Sequence, residues 1–127
     1  MKVKISSFAD AGNFEKERLV IKASADVNIG SYAVFRSDER EESPTAGDNA
    51  AFWFPDGAVK ANDLIVLYTK QGTDSKKQIG EGRTAHFYYW GLKNPIWGAR
   101  KYVAVILRIA EWSSSEPRSD AEPERRV

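Results

Sequence analysis

Short runs of period-two alternation recur along the whole 127-residue chain, while no stretch sustains a 3.6-residue apolar period long enough for a core helix. Val3 and Ile5 alternate with Lys2, Lys4 and Ser6, and Leu19, Ile21 and Ala23 oppose Arg18, Val20 and Lys22. Tyr32 to Phe35 is short and β-prone, and Phe52-Trp53-Phe54 is an aromatic strand that stops at Pro55. Leu64 to Thr69 reads as a strand buried on both faces, and His86 to Trp90 is nearly all aromatic. The clearest alternation sets Val103, Val105, Leu107 and Ile109 on one face and Tyr102, Ala104, Ile106 and Arg108 on the other.

Turn signals separate these runs: Gly12-Asn13, Asn28 to Gly30, Gly47 to Asn49, Pro55 to Gly57, Asn62-Asp63, Gly72 to Ser75, Gly80 to Gly82, Gly91 to Pro95 and Gly98. In Pro55-Asp56-Gly57, Pro presets φ, Asp bonds its own backbone and Gly accepts the left-handed position. Asp38 to Ser43 carries charge without an apolar stripe and precedes Pro44, so it reads as a solvated loop. Many short strands with closely spaced turns predict an all-β, antiparallel sandwich. The expected domain spans residues 1–112. Residues 113–127 combine Ser, Pro and mixed charge with almost nothing to bury, and are expected to form a disordered tail.

Composition removes several activities. The chain has no cysteine, so disulfides, thiolate metal sites and a cysteine nucleophile are excluded, and a reducing compartment is favoured. It has one histidine, His86, so a metal site of paired histidines is excluded too. No apolar h-region follows the first residues, and the longest apolar run, Tyr102 to Leu107, is far short of the ~20 residues a spanning helix needs. The expectation is a soluble, cytoplasmic protein without membrane contact. Formal net charge is +1, but residues 1–54 carry −2, residues 55–108 carry +5 and residues 109–127 carry −2. The basic second half hints at an anionic partner.

Phe52-Trp53-Phe54-Pro55-Asp56-Gly57, the apolar strand Leu64 to Thr69 and the following Gln71-Gly72-Thr73-Asp74 together resemble the lamin-tail domain family. That family shows an aromatic-x-Phe-Pro-x-Gly hairpin leading into an apolar strand. The aromatic run His86 to Gly91 and Asn94-Pro95-Ile96-Trp97 match its aromatic strand and Trp-containing turn. Upstream, Gly30 to Asp38 stands where the family has Gly-Trp-x-Leu-x-Asp, with Tyr32 in place of Trp. After Trp97 the family's Asn/Gly-Asp turn is replaced by Gly98-Ala99-Arg100-Lys101. The resemblance covers residues 50–97 well and 1–49 loosely. It implies an immunoglobulin-like β-sandwich of bacterial, stand-alone type, without catalytic residues, cofactor or metal, that holds partners.

Residue chemistry offers a few candidate sites. His86 as a general base needs a carboxylate or nucleophile within reach, and no spacing in the sequence supplies one; the alternative is a half-buried histidine at a sheet edge. Gly80-Glu81-Gly82-Arg83-Thr84 lacks the Gly-x-x-x-x-Gly-Lys-Ser/Thr pattern and helix of a phosphate loop, so it reads as a hairpin or linking loop. Asp38-Glu39-Arg40-Glu41-Glu42 lacks the Gly-centred spacing of a calcium loop. Tyr88, Tyr89 and Trp90 cannot all face inward on an alternating strand, so an exposed aromatic is expected among them. Lys70, Lys76, Lys77, Arg83, Lys93, Arg100 and Lys101 lie in or beside expected loops. Gathered on one end of the sandwich they would form a patch for an anionic partner; scattered, they are solvated loop cations. The expected function is a non-enzymatic module that binds a protein partner through loops or a sheet edge. The alternative is weak, salt-sensitive nucleic-acid binding through basic loops 70–101. Self-association is expected to be absent or weak.

Overall fold

A computed structural model describes residues 1–40, 43–44, 51–99 and 102–117, with side chains for all of these except 38–40 and 43–44. The chain is all-β, with no α-helix among the described residues and so no helix long and apolar enough to cross a membrane. Among the described residues eleven strands form: β1 Val3–Ala9, β2 Arg18–Ala23, β3 Val27–Asn28, β4 Tyr32–Arg40, β5 Ser43–Pro44, β6 Ala51–Trp53, β7 Ala58–Val59, β8 Leu64–Tyr68, β9 Ser75–Gly80, β10 Arg83–Tyr89 and β11 Tyr102–Arg108. A 3₁₀ turn, Ile29–Ser31, joins β3 to β4.

The larger sheet runs β1-β2-β8-β10-β9, and the smaller sets β11 and β6 on either side of β4, with β5 extending β4; neither closes into a barrel. The two sheets share one core. Val3, Leu19, Ile21, Ala23, Ile65, Leu67 and Tyr88 come from the large sheet, and Tyr32 and Val34 from the small one, with Phe54, Val59 and Ile29 between. Phe54 stands where Pro55 ends β6, so the aromatic run delivers a core side chain as the strand stops. Strand β8 holds Ile65, Val66 and Leu67 all buried, as a central strand must.

The structure corrects three expectations. First, the sheets are not purely antiparallel. β8 and β10 pair in parallel, with Leu64 opposite Ala85 and Tyr68 opposite Tyr89. The chain leaving β8 passes over the end of β10, forms β9 beyond it, and turns back to fill the gap. Gly72 lies against Tyr89 on that path: a Cβ there would sit 2.4 Å from the ring, which stacks on Tyr68 at 5.1 Å.

Second, Ser75–Gly80 is a strand and not a loop, pairing with β10 through a turn that puts Gly80, Glu81 and Gly82 at positive φ. A polar edge strand shows little alternation, because neither face needs apolar residues. Third, Asp38 to Arg40 continue β4, opposite Tyr102 and the short β5, where a solvated loop was expected. Glu41, Glu42 and the turn Gly47 to Asn49 lie outside the described residues, as do 118–127 of the expected tail. Residues 113–117 are exposed and without regular structure.

Candidate functional site: a cationic sheet edge beside a buried Asp–His pair

β9 is exposed at all six residues and stands outermost in the large sheet. Its register places Lys76 opposite His86, Lys77 opposite Ala85 and Gln78 opposite Thr84. Side chains alternate across a strand, so Lys76 and Gln78 share the face of His86 and Thr84, which is the face Tyr88 turns to the core. There the core ends and a groove of about 470 Å³ begins, lined by Lys60, Asp63, Lys76, Lys77, Gln78, Thr84 and His86 with Ala58 at its margin.

The floor of this groove is a buried, hydrogen-bonded pair, His86 Nε2 to Asp63 Oδ2 at 2.9 Å. Asp63 also accepts from the Lys60 amide and the Thr84 amide, each at 3.0 Å. Burial alone would raise the Asp63 carboxyl. The hydrogen bond from His86, those from the Lys60 and Thr84 amides and the charge of His86 outweigh it and hold the group below its usual 3.8. Among the described residues no hydrogen-bond partner faces the other imidazole nitrogen, Nδ1, and no buried polar side-chain atom is left unsatisfied. Asp63 is therefore the carboxylate that the sequence did not reveal for His86. It sits 23 residues away, and only the parallel pairing of β8 with β10 brings it there.

The seven candidate cations do not form one patch. Lys70 and Lys93 follow the C-terminal ends of the parallel β8 and β10 and share a groove of about 410 Å³ with Phe14, Glu15, Gln71 and Leu92. Lys70 is there paired with Glu15 at 3.6 Å and lies over the Tyr68 ring. Lys76 and Lys77 are on β9 nearer the other end, where Lys60 joins them. Arg83 is half-buried and its Nε donates to the Asn62 carbonyl at 2.9 Å. Arg100 and Lys101 lie outside the described residues.

Among the candidate aromatics, Tyr88 is buried, 8% exposed, in edge contact with Phe54; desolvation and then the charge of Asp74 raise its phenol. Tyr89 and Trp90 are half-buried, the first stacked on Tyr68 and the second against Phe52 and Trp97. The exposed pair is instead Trp53, 46% exposed, and Trp112, 63% exposed, whose rings meet edge to face at 5.1 Å. Trp53 Nε1 donates to the Gly30 carbonyl at 2.7 Å. Among the described residues no group of three or more His, Cys, Asp or Glu side chains could hold a metal ion.

Sequence reasoning also passed over Glu17, which is wholly buried. Its carboxylate accepts from the amides of Gly12, Ile96 and Trp97 and from the Thr69 hydroxyl, and so gathers three loops at one end of the molecule. With all its acceptor sites engaged by the protein, it is a structural anchor. No protein-family model and no curated protein matches the chain.

Proposed function

We propose that the chain is a non-enzymatic interaction module, an immunoglobulin-like sandwich similar to a lamin-tail domain, that takes an extended acidic segment of a protein partner along β9. The observation that carries this reading is the fully exposed edge strand flanked by Lys60, Lys76 and Lys77. Trp90 donates its amide to Tyr68, so by alternation residues 86 and 88 bond toward β8 while Ala85 and Phe87 bond toward β9. The amides and carbonyls of their partners Lys77 and Ser75 are thereby used, and those of Lys76 and Gln78 point away from the sheet. An added strand would bond to these two residues, and its acidic side chains would meet Lys76 and Lys60 over the groove. The shared core and the Phe52–Gly57 sequence motif support the sandwich and the lamin-tail likeness. The absence of cysteine suits a cytoplasmic setting.

The test is titration with a peptide alternating Glu and Val, followed by amide hydrogen exchange. Slower exchange at Lys76 and Gln78, with affinity lost in K76E/K77E and absent for a Lys–Val peptide, is the expected result. Equal binding of both peptides, or binding with those amides unprotected, overturns it.

The alternative, weak nucleic-acid binding through basic loops 70–101, draws on the same Lys60, Lys76 and Lys77 cluster. It predicts oligonucleotide binding that collapses between about 50 and 200 mM salt. Phosphate contacts would leave the β9 amides exchanging freely, which separates the two readings.

A further inference from the structure

The molecule has a second long edge whose chemistry is the opposite of β9, and we infer that β11 pairs with β11 of a second copy of this chain to make one continuous sheet across a two-fold axis. Edge strands of soluble proteins are commonly defended by lysines, bulges or proline. β1 has a register shift between Ile5 and Ser7 together with Lys4, and β9 has Lys76 and Lys77. β11 has none of these. It is unbroken against β4 over seven residues, reads Tyr-Val-Ala-Val-Ile-Leu-Arg, and among the described residues no strand pairs its outer side. Leu107 stands 46% exposed on it.

The free groups can be identified. The Phe54 amide donates to the Tyr32 carbonyl and the Ile109 amide to the Ser31 carbonyl, so Tyr32 bonds toward β6 and Ser31 toward β11. By alternation Ala33, Phe35 and Ser37 bond to Leu107, Val105 and Val103. The amides and carbonyls of Ala104, Ile106 and Arg108 therefore point outward.

These three residues are self-complementary. An antiparallel pair centred on Ile106 sets Ile106 opposite its own copy and Ala104 opposite Arg108 in both directions. Every one of the six outward groups on each copy is then used. On the outer face Val105 meets Leu107 and Val103 meets Ile109, all apolar. The two arginines end four residues apart along the strands, about 13 Å, beyond the screening length at physiological salt. With one charge in seven residues, β11 offers nothing to select an acidic or a basic partner, whereas a second copy satisfies both its backbone and its apolar face. Pairing through one strand buries less than a standard interface, so the association is weak and concentration-dependent.

Sedimentation from about 1 µM to about 1 mM, with hydrogen exchange at both ends of the range, tests this. The expected result is a mass that rises from 14.2 kDa toward twice that value. Amides of Ala104, Ile106 and Arg108 should slow with concentration while those of Val103, Val105 and Leu107 stay protected throughout. L107K, at an exposed side chain, should shift the mid-point upward at least tenfold. A104P, which removes only an outward amide, should abolish the dimer and keep the near-ultraviolet spectrum; if A104P does not fold, L107K decides alone. A 14.2 kDa species at every concentration overturns the inference. So does a dimer indifferent to L107K, or one whose protection falls on Lys76 and Gln78.

Discussion

Replacing Glu17 by alanine removes the acceptor for four donors at once: the amides of Gly12 (2.8 Å), Ile96 (2.9 Å) and Trp97 (3.2 Å) and the Thr69 hydroxyl (2.5 Å). The bonds from Thr69 and Trp97 are buried and the other two are partly buried. A buried donor left without a partner costs about 1–3 kcal/mol, and a donor that can recruit water costs less. E17A should thus lose about 4 kcal/mol, a large part of the roughly 5–15 kcal/mol that holds a domain together. For a chain of this length that is a fall of about 15 °C in Tm. E17Q supplies a second, sharper test. Its amide oxygen can serve Gly12 and Trp97 in place of Oε1, and the Thr69 hydroxyl can turn to accept from the new NH₂, leaving only the Ile96 amide opposed. E17Q should therefore lose about 1–2 kcal/mol, less than half the alanine value. Urea denaturation read by tryptophan fluorescence measures both, and an E17A/T69V double-mutant cycle should return a coupling of at least about 1 kcal/mol. A loss under about 1 kcal/mol for E17A, or equal losses for the two variants, would refute the reasoning.

Three further outcomes follow from other contacts. The Asp63 carboxyl is held below 3.8 in the folded chain, so its contribution is complete above that value. As pH falls below it the unfolded state takes up the proton first, and stability drops until the native carboxyl is protonated too. Urea melts at several acidic pH values should show this fall, and D63N should be less stable than wild type at neutral pH yet lack that part of the slope. G72A should cost about 1–3 kcal/mol, because the new methyl must push Tyr89 off Tyr68; a melt within a degree of wild type would contradict the close approach. W112A removes an exposed ring in edge contact with Trp53 and should cost only about 1 kcal/mol, with a change in tryptophan fluorescence that W53A reproduces.

The all-β class was legible because alternation needs no knowledge of partners: Leu19, Ile21 and Ala23 are buried where the period places them, and Ile65 to Leu67 are buried without a break. What escaped was non-local. Nothing between Leu64 and Tyr89 announces that β10 lies parallel to β8 with β9 beyond it, since the intervening turn signals fit a meander equally well. That one topological fact moved Lys76 and Lys77 from a loop to an edge strand and gave His86 its carboxylate. Tyr88 shows the same limit. Alternation required that neighbours face opposite ways but left open which of the two faces was covered, and Tyr88 falls on the core side. Glu17 lies one residue before β2, and nothing in the neighbouring sequence marks it for burial. Its three amide donors come from Gly12, Ile96 and Trp97, and two of these lie about 80 positions away in sequence.

The parallel pair also explains where the buried carboxylates stand. Antiparallel neighbours can be joined by a hairpin that fixes their register from the turn outward; the parallel β8 and β10 cannot, and their ends must be fixed otherwise. Asp63, one residue before β8, reaches the Thr84 amide and His86 on β10 and so fixes the strands' first residues side by side. Thr69, one residue after β8, gives its hydroxyl to Glu17, which also takes the amides of Ile96 and Trp97 in the segment that follows β10. A side-chain carboxyl group thus bonds across each end of the central pair. β9 is bound to the fold mainly through β10 and its turn, and among the described residues no strand pairs with its other side. On this argument K76E/K77E should leave the melting temperature near that of wild type while removing acidic-peptide binding. A large loss of stability in that variant would show that β9 belongs to the scaffold and not to its working edge.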